Sequence, residues 1–214
     1  MQSNVANLNS WTTKHTTEDT SQHGVALAFI NPRLFVAWTG GDSKINVASS
    51  TNGGASWEKK VILNERSSAK PYLVHHKTND SLVLAWQGVG NNKLNFSECR
   101  DLNNLGFGTT TTTEDTSGSA PAVGFQGDGL PWVTWQGGDS DLNSLVASGV
   151  KVADIASGAN RKRTLYEKEF FANSGPALCL FQGKMVIGWQ SNIEDSLCMG
   201  VLSRGGVAVY GLLS

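Results

Sequence analysis

Apolar positions along the chain gather into short runs, and one run is written four times. Leu34-Phe35-Val36-Ala37-Trp38-Thr39-Gly40-Gly41-Asp42 is matched by Leu82-Val83-Leu84-Ala85-Trp86-Gln87-Gly88, by Pro131-Trp132-Val133-Thr134-Trp135-Gln136-Gly137-Gly138-Asp139 and by Met185-Val186-Ile187-Gly188-Trp189-Gln190. Each copy is rich in β-branched and aromatic residues and too short for a helix, which predicts a strand running into a turn. Three further apolar runs flank each copy. In the first repeat these are Val25–Phe29, Ile45–Ser49 and Trp57–Leu63. With the Trp38 run as the second, they give four strands, a to d, whose short connections imply an antiparallel meander. The second repeat has Pro71–Val74, Leu94–Ser97 and a weaker d segment near Phe107. The third has Pro121–Phe125, Leu142–Val146 and Arg163–Tyr166, and the fourth Pro176–Phe181, Leu197–Val201 and Val207–Tyr210.

Four-stranded meanders recurring roughly every 50 residues are the signature of β-propeller blades. Strand b is apolar at successive positions, as expected of a sheet with both faces covered by neighbours. The predicted fold is all-β: a small β-propeller with four blades of four-stranded antiparallel meanders, residues 1–214 forming one domain. The repeats span about 21–67, 68–116, 117–171 and 172–214. Residues 1–20 belong to no complete repeat and are expected to close the ring. The alternative is five blades, since Asn4-Val5-Ala6 and Ser10-Trp11 echo a strand c and d.

Charge narrows the function. The net charge is −1, from 17 basic and 18 acidic side chains, and the only basic cluster is Arg161-Lys162-Arg163. A phosphate-backbone binder needs clustered Lys and Arg, so no nucleic-acid partner is expected. No apolar run reaches the roughly 18 residues of a membrane span. The first residues lack a signal-peptide pattern, which predicts a cytoplasmic protein, or one secreted by a non-classical route. Cys99, Cys179 and Cys198 lack metal-ligand spacing and read as free thiols, with a Cys179–Cys198 bridge as the alternative. His75-His76 has no third ligand, so neither metal nor cofactor is expected.

Ser50-Thr51-Asn52-Gly53-Gly54-Ala55-Ser56-Trp57, between strands c and d of the first repeat, resembles the Asp-box of sialidase-like propellers, Ser-x-Asp-x-Gly-x-Thr-Trp. Asn52 takes the Asp place and Ser56 the Thr place, and the whole repeat is similar to those of sialidase-like and related lectin-like propellers. The residues also explain themselves without a ligand: Asn52 can cap its turn and the two glycines supply positive φ. That family keeps the box away from its active site, so the resemblance implies fold rather than chemistry. A sialidase-like enzyme would need three arginines to clamp a carboxylate, a Tyr–Glu nucleophile pair, an acid/base Asp and six blades. The chain offers Arg33, Arg66, Arg100, Arg161, Arg163 and Arg204 in no such motif. Adjacent Glu114 and Asp115 cannot flank one glycosidic bond from a strand-like segment. No enzyme is expected.

In such a meander the d-to-a linkers and the b-to-c turns lie on one face. Two polar motifs recur there: Thr-Thr-Glu-Asp-Thr-Ser at 16–21 and 112–117, and Gly-Gly-Asp-Ser at 40–43 and 137–140. Carboxylates and amides beside aromatic rings suit a neutral sugar, whose hydroxyls need paired donors and acceptors while its C–H face stacks on Trp or Tyr. Candidate ligand-binding residues are Asp42, Asp139, Gln87, Gln136, Gln190, Glu18 and Glu114, with Trp132, Tyr72 and Trp135 as stacking partners. The competing reading makes the acids strand terminators and the strand-b tryptophans filler between blades. The expectation is a multivalent carbohydrate-binding lectin, with glycans or glycoconjugates as partners and self-association kept open. The alternatives are a protein-binding or structural propeller and a degenerate sialidase-like glycosidase.

Overall fold

The structure is a computed structural model describing residues 16–157, 161–165, 175–191, 196–203 and 206–212. It is an all-β, four-bladed propeller. The first blade holds β1 (Ala26–Ile30), β2 (Arg33–Thr39), β3 (Lys44–Ser50) and β4 (Lys59–Arg66) in sequence order. The second holds β5 (Tyr72–His76), β6 (Ser81–Gln87) and β7 (Lys93–Asp101). Its outer edge is divided between β8 (Gly106–Phe107) and β9 (Thr111–Thr116), both paired with β7. The weak apolar signal near Phe107 therefore marks only part of strand d; the Thr-Thr-Glu-Asp-Thr-Ser motif at 112–117 supplies most of the rest. The third blade is β10 (Ala122–Phe125), β11 (Pro131–Gln136), β12 (Leu142–Val146) and β13 (Arg161–Leu165), with a 3-10 turn at Val152–Ala156. The fourth is β14 (Ala177–Phe181), β15 (Lys184–Gln190), β16 (Leu197–Ser203) and β17 (Gly206–Leu212). Residues 1–15, expected to close the ring or to begin a fifth blade, lie outside the described residues. Residues 16–23 form no strand and run against the first blade.

The inner strands follow one another, β1 packing on β5, β5 on β10 and β10 on β14. Each junction has its own apolar cluster. Ile30, Phe35, Ala37, Ile45 and Val47 of the first blade meet Leu73, Leu82, Leu84, Trp86 and Cys99 of the second. Val83, Ala85, Leu94 and Phe96 then meet Val123, Val133, Trp135 and Leu145. At the third junction Ala122, Trp132, Leu142 and Leu165 meet Leu178, Ile187, Trp189 and Cys198. Trp86, Trp135 and Trp189 each face the preceding blade, whereas Trp132 faces the following one. Strand b loses its alternation for this reason: all seven residues of β6 are buried, between sheets on both sides. In β15 the large residues Met185, Ile187 and Trp189 are buried and the residues between them are not.

The linkers between blades are built alike. Gln22 N donates to Thr39 O (3.1 Å), Ser68 N to Gln87 O (3.1 Å) and Gly118 N to Gln136 O (2.9 Å), each stitching the incoming chain to the end of strand b of the next blade. The hydroxyls of Ser21, Ser67 and Ser117 close the bend by donating to the carbonyls of His23, Ala69 and Ser119. Residues 16–23 thus approach the first blade as an outer strand leaving a preceding blade would. The Ser50–Trp57 turn caps itself: Asn52 Oδ1 accepts from Ser50 Oγ and Ser56 N, both at 2.9 Å, and Gly53 and Gly54 have φ of 71° and 90°.

Candidate functional site

The b-to-c turns show what the recurring Asp residues do. Asp42 Oδ1 accepts from Lys44 N (3.0 Å) and Asp139 Oδ1 from Asp141 N (3.1 Å); Asn91 Oδ1 does the same for Lys93 N (3.0 Å) in the second blade. Ser43, Asn92 and Ser140 follow in the left-handed region. Asn46, Asn95 and Asn143 brace the turns from strand c by donating to the carbonyls of Lys44, Lys93 and Asp141. One oxygen of each acid is therefore committed to the turn. The glycine two residues before Asp139 is required by crowding: a Cβ on Gly137 would lie 2.4 Å from Asp139 Oδ1 and 2.9 Å from Asn143 Nδ2, whereas one on Gly138 would meet nothing within 4 Å. Gly137→Ala is expected to cost about 1–3 kcal/mol in urea unfolding. Gly138→Ala should stay within about 0.5 kcal/mol.

The other sequence-predicted residues are dispersed. Gln87 is buried and donates to Ser117 O (2.6 Å) and Asn92 Oδ1 (3.2 Å), locking a linker to a turn. Gln136 is half-buried against Gly118, and Gln190 is half-buried opposite Leu197. Glu18 and Glu114 are exposed, Glu114 pairing with Lys93 at 2.8 Å. Trp132 and Trp135 are buried in junction clusters. Tyr72 reaches from the second blade to the fourth, donating its hydroxyl to Leu178 O (2.8 Å), and burial raises its pKa above the usual 10.0.

A cavity of about 160 Å³ lies elsewhere, on the flank of the first blade that faces away from the second. Trp38, Trp57, Val25, Val36 and Ala48 give it apolar walls; Thr17, Asp19, Thr20, Ser21 and Lys60 give it a polar rim. Lys60 Nζ pairs with Asp19 and sits 5.4 Å above the Trp38 ring. The same triad recurs where the second blade meets the third: Lys162 pairs with Asp115 of β9 and lies 5.4 Å above Trp135. At the junction between them the corresponding tie is Thr110 Oγ1 donating to Glu65 Oε1 (2.8 Å). Asp19, Lys60 and Trp57 were not singled out from the sequence. The missed signal is strand alternation: in β9 Thr113 is buried, Asp115 half-buried and Glu114 exposed, so the second acid of the motif turns inward.

A separate titratable cluster lies at the other end of the second blade. His76 is fully buried, its ring stacked on Phe125 of the third blade (centroids 3.9 Å, interplanar angle 9°), with Glu98 Oε1 3.8 Å from Nδ1. Burial lowers the His76 pKa below its usual 6.5, against the opposing pull of Glu98. Burial pushes Glu98 up, but hydrogen bonds from Ser81, Asn79 and Arg100 outweigh it and hold the carboxyl below 4.5. All three cysteines are free, and burial pushes Cys99 up to about 12.

No protein-family model and no curated protein matches the sequence. Solved structures do. A fungal lectin from Aleuria aurantia, described as a six-bladed β-propeller with a novel fucose recognition mode, superposes with a TM-score of 0.68 at 13% identity, over 92% of this chain and 63% of its own. A mutant of AofleA from Arthrobotrys oligospora gives 0.68 at 13%, over 91% and 58%. An exo-β-1,3-galactanase from Phanerochaete chrysosporium gives 0.60 at 7%, over 91% and 50%. The chain thus spans half to under two thirds of these proteins, and at such identities the likeness shows the fold. It supports the propeller, though no sialidase-like family is matched. One expectation is corrected. The exclusion of an enzyme rested on the missing sialidase motifs, the blade count and the adjacency of Glu114 and Asp115, yet glycoside hydrolases, several of them GH43 enzymes, share this propeller. The first two absences speak only against sialidase chemistry, and the third only against that one pair of carboxylates.

Proposed function

We propose that the chain binds carbohydrate, and that the cavity between Trp38, Trp57 and the Asp19–Lys60 pair is a binding site. The observation that carries this reading is the pairing of two indoles with a carboxylate, an ammonium group and threonine hydroxyls around one small cavity. A sugar ring stacks its C–H face on an aromatic surface and needs donors and acceptors for its hydroxyls. Neighbours that recognise fucose and neighbours that cleave galactans both support it, because glycan binding is the step they share. The Asp115–Lys162 pair over Trp135 repeats the tie where the second blade covers the indole, so it is a junction contact rather than a second site.

A glycan array followed by calorimetry tests this. Asp19→Ala and Trp57→Ala are each expected to weaken binding at least tenfold, about 1.4 kcal/mol. Asp19 lies outside every strand, so its variant should keep the wild-type unfolding midpoint. Asp42→Ala with Asp139→Ala, assayed in parallel, measures what the b-to-c face contributes. Product analysis of the bound glycan separates binding from hydrolysis. Wild-type protein that retains no glycan on a broad array overturns the reading, leaving a propeller that binds protein.

A further inference from the structure

The path of blade packing has two ends. Among the described residues, β14 does not pack back on β1 as the other inner strands pack on one another. The first blade leaves the side facing away from the second open, with Leu27, Phe29 and Ile62 exposed. The fourth leaves open the side facing away from the third, with Phe181, Leu197 and Met199 exposed. Leu27, Leu197 and Met199 have buried counterparts where a neighbouring blade is present. Leu27, two residues before Trp38 in the cross-strand register, is 58% exposed; its counterpart Leu73, in the same relation to Trp86, is 5% exposed. Leu197, opposite the residue after Trp189, is 54% exposed, whereas Leu94, opposite the residue after Trp86, is 1% exposed. The two open faces are thus the two halves of one blade junction, separated onto opposite ends of the chain.

We propose that they dock a second copy of this chain head to tail, the fourth blade of one copy packing on the first blade of the next. The occupant follows from the chemistry of the faces. Every interior junction joins a face like that carrying Leu197 to a face like that carrying Leu27, and a second copy presents the missing half at either end. Exposed apolar patches of this kind are the usual mark of an interface. Residues 16–21 cover only the outer part of the first blade through the Asp19–Lys60 tie, while Leu27 and Phe29 sit on its innermost strand; a copy docked there covers the Val25, Val36 and Trp38 walls of the cavity, so it competes with a glycan for that face. The contact is heterologous, so it closes into a ring or extends.

Light scattering of the full chain after size-exclusion chromatography tests this without reference to any glycan. Wild type is expected to run as a dimer or larger, with mass rising with concentration. Leu27→Glu with Phe29→Glu should be monomeric, and so should Leu197→Glu with Met199→Glu. All four side chains are exposed, so neither change disturbs the monomer's core. Mixed in equal amounts, the two variants should form a dimer, because each retains the face the other has lost. A wild type that stays monomeric to about 100 μM, where a micromolar contact is saturated, overturns the proposal. So does an oligomer that survives either double change, or a mixture that stays monomeric.

Discussion

Trp86→Ala is expected to lower the unfolding free energy by about 3–5 kcal/mol, the usual cost of deleting a buried indole. Trp86 is 1% exposed and packs across the first junction against residues of the first blade as well as its own. A small fold is held by about 5–15 kcal/mol, so this one change removes a large share of it. Trp38 holds the same place in its blade but faces Lys60, Asp19 and the cavity instead of a neighbouring sheet. Trp38→Ala should therefore cost less. Urea unfolding of the two variants checks the ranking, and equal losses would mean that Trp38 is covered by as much apolar surface as Trp86.

Acidification should be the second large effect. The fold lowers the His76 pKa, so below about 6.5 the unfolded chain takes up a proton that the native chain resists. Stability rises with pH wherever the unfolded state binds more protons, so it falls as the pH drops from 6.5 through the lower native value. Glu98 adds a second limb with the same sign, present above 4.5 and lost as the pH falls through its depressed native pKa. Thermal midpoints measured from pH 8 to pH 2 should decline in these two stages. His76→Phe keeps the stack on Phe125, and it should flatten the upper stage while leaving the lower one. A midpoint that declines identically in the variant would place the upper stage on another group.

The fold was legible because each blade repeats the physics of the last. The Trp-centred apolar run is a strand buried on both sides, and Gly53-Gly54 is a turn that needs positive φ. The site was less legible because the same residue types serve turns and ligands. Asp42 and Asp139 read as sugar ligands, yet Asn91 holds the equivalent place in the second blade without a charge. That substitution is a clue that the position needs an acceptor oxygen rather than an anion. The sequence reading names Glu18, whereas the period-2 alternation of the identical motif in β9 favours the second acid, Asp19. The open faces left no trace in the pattern at all. Val-Ala-Leu-Ala-Phe states that a face is apolar and says nothing of whether a neighbour covers it.

Among the described residues, the packing path from β1 to β14 gives a single copy the statistics of a short linear array. Each interior blade is held by two junctions and each end blade by one, so stability divides into blade terms and nearest-neighbour terms. Such an array frays from its ends: local opening begins at the first and fourth blades and reaches the middle pair last. The cavity at Trp38 lies on one of those ends, where the chain is freest to adjust around whatever it holds.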